Sequence, residues 1–269
     1  MNESLRETIP SEHPQWQIQV TDDGSRTLIS RDSRTAFHSA SGALTETRHV
    51  YFENSGVSRR LRGGMPTSVL EIGLGTAMGM LLTLAAPRVA GTPLHYTAVE
   101  LEWLPAGLIR QLHPHHWIAA EEEVEDLGND APEDVVEDAA GNNLVERFLG
   151  WRESLPQVPP PGSYRWDVDN ERTATVDVGS LEAWMPAPGQ RFDAIYFDPF
   201  APDTNGELWT APVLARMHSL LSAGGTLVSY CVNRKVRDSL SSVGFEVQRV
   251  PGPPGGKREV LVATRARCS

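Results

Sequence analysis

The chain has 269 residues and a formal net charge of −11, with 40% hydrophobic and 22% charged residues. That length suits one large domain or two small ones. No apolar run approaches the roughly 20 residues of a membrane span, the polar start Met1–Glu7 has no signal-peptide core, and the two cysteines, Cys231 and Cys268, give no basis for a disulfide framework, so the cytoplasm is the default location.

The charge is unevenly spread. Ten acids and no base lie between Glu121 and Asp138, and the rest of the chain carries a net −1. From Arg234 to the end there are eight bases and three acids, a local +5. A polyanionic partner is therefore not excluded.

In chain order, residues 1–15 are polar, carry Pro10 and Pro14, and read as loosely ordered. Trp16–Val20 alternates, Asp22-Asp23-Gly24 turns, and Thr27–Ser30 returns, which predicts a β-hairpin. Ser41–Phe52 reads as a polar loop running into an apolar-aromatic segment. Arg59, Arg60 and Arg62 follow, either as a solvated loop or as phosphate contacts. Residues 1–62 are thus expected to be a tail, hairpin and loop packed on a main domain of residues 63–269.

From Val69 the pattern alternates strand and helix, which suggests a parallel sheet. The expected elements are a strand at 68–72, a helix at 76–86, a strand at 95–100, and a helix starting near Pro105. His113-Pro114-His115-His116 reads as a surface cluster, since Pro114 breaks helical spacing and no tetrahedral ligand set is completed. Residues 119–141 read as a mobile acidic insertion, with a partner-binding tail as the other reading. A helix is expected at 144–155, then a stiff connector at Pro159-Pro160-Pro161-Gly162. A short strand at 173–176 ends in Asp177, a helical turn follows at 181–185, and Phe192–Phe197 is a central strand. Pro212 begins a helix, 226–230 is a strand, and Asn233 caps a helix that Gly244 closes. Phe245–Val250 and Glu259–Thr264 form a final antiparallel pair.

The sheet therefore has about seven strands, mostly parallel, with an antiparallel last strand. This Rossmann-like α/β pattern fits a methyltransferase sheet better than a nicotinamide-binding one. The opening motif agrees: Glu71, then Gly73 and Gly75, then Thr76 and Ala77. A dinucleotide pattern wants its third glycine at position 78, which is Met78.

S-adenosyl-L-methionine lacks phosphates, so such a glycine loop needs close approach rather than anion binding. Glu100, ending the second core strand, is placed to accept from ribose hydroxyls. Asp177 can accept from the adenine amino group, and Glu71 can face the methionine ammonium. Asp198-Pro199-Phe200 is similar to the Asp-Pro-Pro-aromatic motif of enzymes that methylate amino nitrogens. A carboxylate there aims an amine's lone pair and stabilises the ammonium that forms. Phe200 and Trp209 can stack on a base or pack in the core.

Glu46-Thr47-Arg48-His49-Val50-Tyr51, Glu71–Thr76, Asp198–Pro202 with Glu207–Thr210, Gly224–Cys231, and Gly252–Glu259 together resemble the MnmC-like methyltransferase domain of tRNA 5-methylaminomethyl-2-thiouridine biosynthesis enzymes, including its stand-alone form. The resemblance spans Leu28 to about Arg265. It implies S-adenosylmethionine-dependent methylation of the aminomethyl nitrogen on wobble uridine of tRNA, with Asp198 catalytic, Gly73, Gly75 and Thr76 at the cofactor, Lys257 and Arg258 at the RNA, and no metal. Pro199 departs from the small residue expected after Asp198, and the connector before Lys257 carries an extra glycine. The flavin-dependent oxidase half is not expected in this chain, so another protein would make the aminomethyl group. Two other readings remain open at this point: a small-molecule amine methyl- or aminopropyl-transferase, and a catalytically silent RNA-binding module.

Overall fold

The computed structural model describes residues 6–33, 35–118, 135–136 and 141–267. The chain opens with β1 (Thr8–Pro10), β2 (Trp16–Val20) and β3 (Arg26–Ser30), an antiparallel sheet in that order. The expected hairpin thus gains a third strand from a stretch read as loosely ordered. Ile9 lies opposite Ile18 and packs on the core, and the Arg6 guanidinium holds Asp22 at 2.9 Å. That burial and pairing fix what local composition left open.

The segment read as a loop is helical. α1 (Ala43–Thr47) runs into a π-helical turn (Arg48–Glu53), and α2 (Val57–Arg62) follows. The Asn54 N–H reaches the His49 carbonyl at 3.2 Å, a five-residue step. Such turns cluster at functional sites. Arg60 on α2 pairs with Asp193 at 2.9 Å and donates to the Pro66 carbonyl. Asp193 also accepts from Ser68 N. This basic group therefore sits by the N-terminal ends of the central strands.

Those strands are β4 (Thr67–Ile72), β6 (Leu94–Glu100), β9 (Arg172–Val178), β10 (Phe192–Phe197) and β11 (Leu221–Ser229). The remaining strands are β5 (Arg88–Val89), β7 (Val135–Val136), β8 (Gly162–Asp167), β12 (Phe245–Pro251) and β13 (Glu259–Arg265). The main sheet has eight strands in the order β12-β13-β11-β10-β4-β6-β9-β8. From β11 to β9 all pairings are parallel. β13 runs antiparallel between β12 and β11, as expected of the last strand. The strand beyond the expected seven is β8, antiparallel on β9. β5 and β7 form a separate small pair. Apart from β7, the acidic insertion at 119–141 lies almost wholly outside the described residues.

The helices of this layer are α3 (Met78–Ala85), α4 (Ala106–Arg110), α5 (Gly141–Glu153), α6 (Ala211–Leu220) and α7 (Arg234–Ser242). Asn233 caps α7 by accepting from Lys235 N at 2.9 Å. Residues 181–185 form turns without a helix. Strand alternation sends Val69, Tyr96 and Ala174 to one face, with α3 and α5, and Leu70, Ile72 and Phe192 to the other, with α6 and α7. Each large apolar chain so buried contributes roughly 1.5–3 kcal/mol. Among the described residues no helix is long and apolar enough to cross a membrane.

Candidate active site

A cleft of about 730 Å³ opens where β4, β6 and β10 end, lined there by Ile72, Glu100 and Asp198. The turn after β4 forms its floor. Gly73 (φ 89°) and Gly75 (φ 52°) occupy the left-handed region that favours glycine. A Cβ on Gly73 would stand 2.9 Å from the Asp198 carbonyl oxygen, so the two strand ends pack backbone to backbone. Ala77 is also left-handed, at φ 66°, and caps α3. A residue with a Cβ pays roughly 1–2 kcal/mol there. The helix consequently starts at Met78 rather than 76.

Glu100 binds this turn. Its Oε2 accepts from Gly75 N at 2.9 Å and its Oε1 from Glu102 N at 2.8 Å. Burial raises its carboxyl, and these N–H groups counter part of the rise. Each oxygen keeps a further lone pair. Glu71 lies below, 4% exposed. Burial pushes its carboxyl well above the ordinary range; the Tyr96 phenol lowers it, and the charges of Asp198 and Glu100 raise it further. Among the described residues Glu71 Oε2 and Thr76 Oγ1 lack hydrogen-bond partners, and the Tyr96 hydroxyl has none beyond its approach to Glu71. Buried polar atoms are seldom left so. A Cβ on Gly79 would meet Glu71 Oε1 at 2.6 Å.

Beside the turn, Asp198 Oδ1 accepts from the Tyr51 hydroxyl, delivered by the π-helical turn. Burial drives the Asp198 carboxyl well above its ordinary range; Tyr51 opposes this, Glu46 adds to it, and the Lys257 ammonium lowers it. Tyr230 donates to the Pro199 carbonyl at 3.0 Å, and Lys257 Nζ stands 4.0 Å from the centre of the Tyr230 ring. One wall comes from the N-terminal sheet and its following loop. Trp16, Phe37 and Phe200 meet edge to face at 4.9 and 5.5 Å between ring centres. Phe37 also stands 3.0 Å from where a Cβ on Gly75 would lie.

A family model described as S-adenosyl-L-methionine-dependent methyltransferase matches residues 149–266. The tRNA 5-methylaminomethyl-2-thiouridine biosynthesis bifunctional protein MnmC of Cupriavidus metallidurans is 29% identical over 231 residues, 84% of this chain and 31% of that protein. Its counterpart in Ralstonia nicotianae is 28% identical over 250 residues, 91% of this chain and 34% of that protein. The chain thus spans about a third of the length of the curated relatives it matches. Among solved structures, MnmC2 from Aquifex aeolicus shares the fold with a TM-score of 0.65 at 21% identity, covering 100% of this chain and 74% of that one.

Residues 149–266 match an S-adenosyl-L-methionine-dependent methyltransferase family, and most of the chain is similar to part of the MnmC proteins.

The cofactor is S-adenosyl-L-methionine, and the residues present fit that molecule. The glycine turn lines the cleft with no side chain to stand between backbone and ligand, and the unpartnered Glu71 Oε2 suits an ammonium.

The methyltransferase cleft gathers Glu71, Gly73, Gly75, Glu100, Asp198, Phe200 and Lys257 on its wall. Four other sequence-derived candidates stand back from it. Thr76 is buried beneath the turn, 1% exposed. Asp177 turns its carboxylate to the Trp184 indole, which donates at 2.6 Å. The loop after it, Gly179–Glu182, reaches the cleft instead. Trp209 packs edge-on against Phe197 at 5.0 Å and donates to the Phe200 carbonyl, so it backs that wall. Arg258 is exposed beside Lys257. Sequence reasoning did not single out Glu46, Tyr51, Tyr230, Phe37 or Trp16 as site residues, although Glu46, Tyr51 and Tyr230 lie in motifs that carried the resemblance. Among the described residues no group of three or more His, Cys, Asp or Glu is set to hold a metal. In the histidine cluster, His113 meets Arg26 and His115 meets Glu146, each at 2.8 Å.

Proposed function

We propose that this domain methylates the aminomethyl nitrogen of 5-aminomethyl-(2-thio)uridine at the wobble position of tRNA. The observation that carries the reading is Asp198, held by Tyr51 at a cleft that the adjoining glycine turn, Glu71 and Glu100 also line. The names of the MnmC relatives supply the tRNA substrate class.

In this reading Gly73 and Gly75 give close approach to the cofactor, Glu71 accepts from its ammonium, and Glu100 accepts from its ribose hydroxyls. Thr76 and Asp177 support the turn and the adenine-side loop from behind. When bound, S-adenosylmethionine supplies the methyl group, the amine lone pair forming the new N–C bond as the C–S bond breaks. Asp198 accepts N–H bonds from the acceptor and aims its lone pair. An alkylammonium titrates near 10, so presenting it neutral at pH 7 costs roughly 4 kcal/mol. Placement against Asp198 must offset much of that. Phe200, backed by Trp209 and continued by Phe37 and Trp16, offers ring faces and edges to an unstacked base. Lys257 lies at the cleft mouth, and Arg258 beside it is the phosphate contact. The reading includes a separate enzyme that makes the aminomethyl group, and places the protein in the cytoplasm.

The test is incubation of the purified protein with labelled cofactor and tRNA bearing aminomethyluridine. Nucleoside mass spectrometry should show labelled methylaminomethyluridine. Cofactor binding without that product rejects the substrate assignment.

A further inference from the structure

The cleft holds a second carboxylate to which the proposed reaction gives no task. Glu46 on α1 is 7% exposed and lines the cleft. Its Oε2 accepts from Ser39 N at 2.7 Å, and among the described residues no donor reaches Oε1. The Glu46 charge acts on Asp198, Tyr51 and Tyr230, while the Lys257 ammonium acts on both carboxylates. Lys257 itself rests against the Tyr230 ring. Two acids facing one ammonium leave this end of the cleft short of a positive charge. Burying carboxylates without enough cations is costly. An acceptor amine arrives protonated and supplies the missing cation.

We propose that Glu46 is a second carboxylate for the acceptor amine: with Asp198 it recognises the ammonium form, and it then takes the proton that must leave before methyl transfer. The inference rests on the reading of an aminomethyl acceptor. The step balances as ammonium plus carboxylate giving amine plus carboxylic acid. In a water-poor cleft this replaces an ion pair by two neutral partners, which burial favours. The nitrogen then keeps its remaining N–H groups for Asp198 and has its lone pair free. Lys257, resting on the Tyr230 ring, is the resident cation whose charge acts on both acids before the acceptor enters.

The experiment compares two tRNAs that differ only in the aminomethyl group on the wobble uridine, with wild type and Glu46→Gln. Gln keeps a carbonyl oxygen for Ser39 N–H, so the local fold is retained. Wild type should prefer the amine-bearing tRNA by at least about tenfold, the scale of one charge-assisted hydrogen bond. Glu46→Gln should lose most of that preference and slow single-turnover transfer on saturating tRNA by at least about 100-fold, with cofactor affinity unchanged. A variant with wild-type preference and rate overturns the assignment and leaves the methyltransferase reading intact. A wild type that binds cofactor yet methylates neither tRNA overturns both. Should Glu46→Gln fail to fold, Asp198→Asn decides: a residual preference for the amine-bearing tRNA supports a second carboxylate, and complete loss overturns it.

Discussion

Asp198 combines three properties that a positioning acid for an amine needs. It directly follows a central strand, touches the cleft, and has one oxygen fixed by Tyr51. We expect Asp198→Ala to lower the rate of methyl transfer by about 100- to 1000-fold, the cost of losing one preorganised electrostatic partner. Calorimetry should show cofactor affinity within about threefold of wild type, since in this reading the Asp198 side chain bonds the acceptor and not the cofactor. A variant that kept its rate would remove Asp198 from the chemistry. This acid was legible because an apolar run stops at it. Asp177 was legible in the same way, but its side-chain direction was not. Which indole it would meet depends on the turn at 181–185, which sequence reads only as a helical turn. Glu46 was hidden more deeply, because a five-residue helix running into a π-helical turn has no stable 3.6-residue period to expose its buried face.

The short helix α1 is positioned by Asp23 from the β2–β3 turn. Its N-cap, Gly42, makes no side-chain bond; Asp23 Oδ2 instead accepts from Thr45 N at 2.9 Å and Thr45 Oγ1 at 2.8 Å. A Cβ on Gly42 would lie 2.7 Å from that oxygen, so glycine is required there. Burial alone would raise the Asp23 carboxyl, but bonds from Ser25, Thr21 and Thr45 outweigh it and bring it down to about 2. A lowered carboxyl contributes stability above its ordinary value of 3.8 and loses it as pH falls through about 2. Asp23→Ala should therefore cost about 1 kcal/mol at neutral pH, as loss of a helix cap does. In thermal melts the gap to wild type should narrow only as pH falls below about 4. A gap independent of pH would mean that Asp23 acts through packing alone. The regular elements β4, β6, β10, α6 and α7 were readable from periodicity. β8 was not, because it follows a proline run and its mostly exposed edge position lets polar residues fill it.

Across the whole molecule the net charge of −11 opposes a polyanion, so the proposed RNA binding would depend on where bases stand. Arg60 is engaged with Asp193 at the strand starts, whereas Arg258 is exposed next to Lys257 at the cleft. Arg258→Ala should weaken tRNA binding and reduce the salt slope of log affinity by about 1. Filter binding across a salt series checks this, and an unchanged slope would mean that no phosphate is touched. The parallel centre and antiparallel last strand were readable from helix-joined and directly joined strand pairs. The wall made by Trp16 and Phe37 was not, because it depends on contacts between distant parts of the chain. Phe37 resting on Gly75 has a consequence for anyone building chimeras. The opening sixty or so residues and the glycine turn are halves of one fitted surface, and must be transplanted together. Exchanging either half between relatives would set a ring against a bend it was never matched to, and the cleft would lose its shape before any candidate catalytic group was altered.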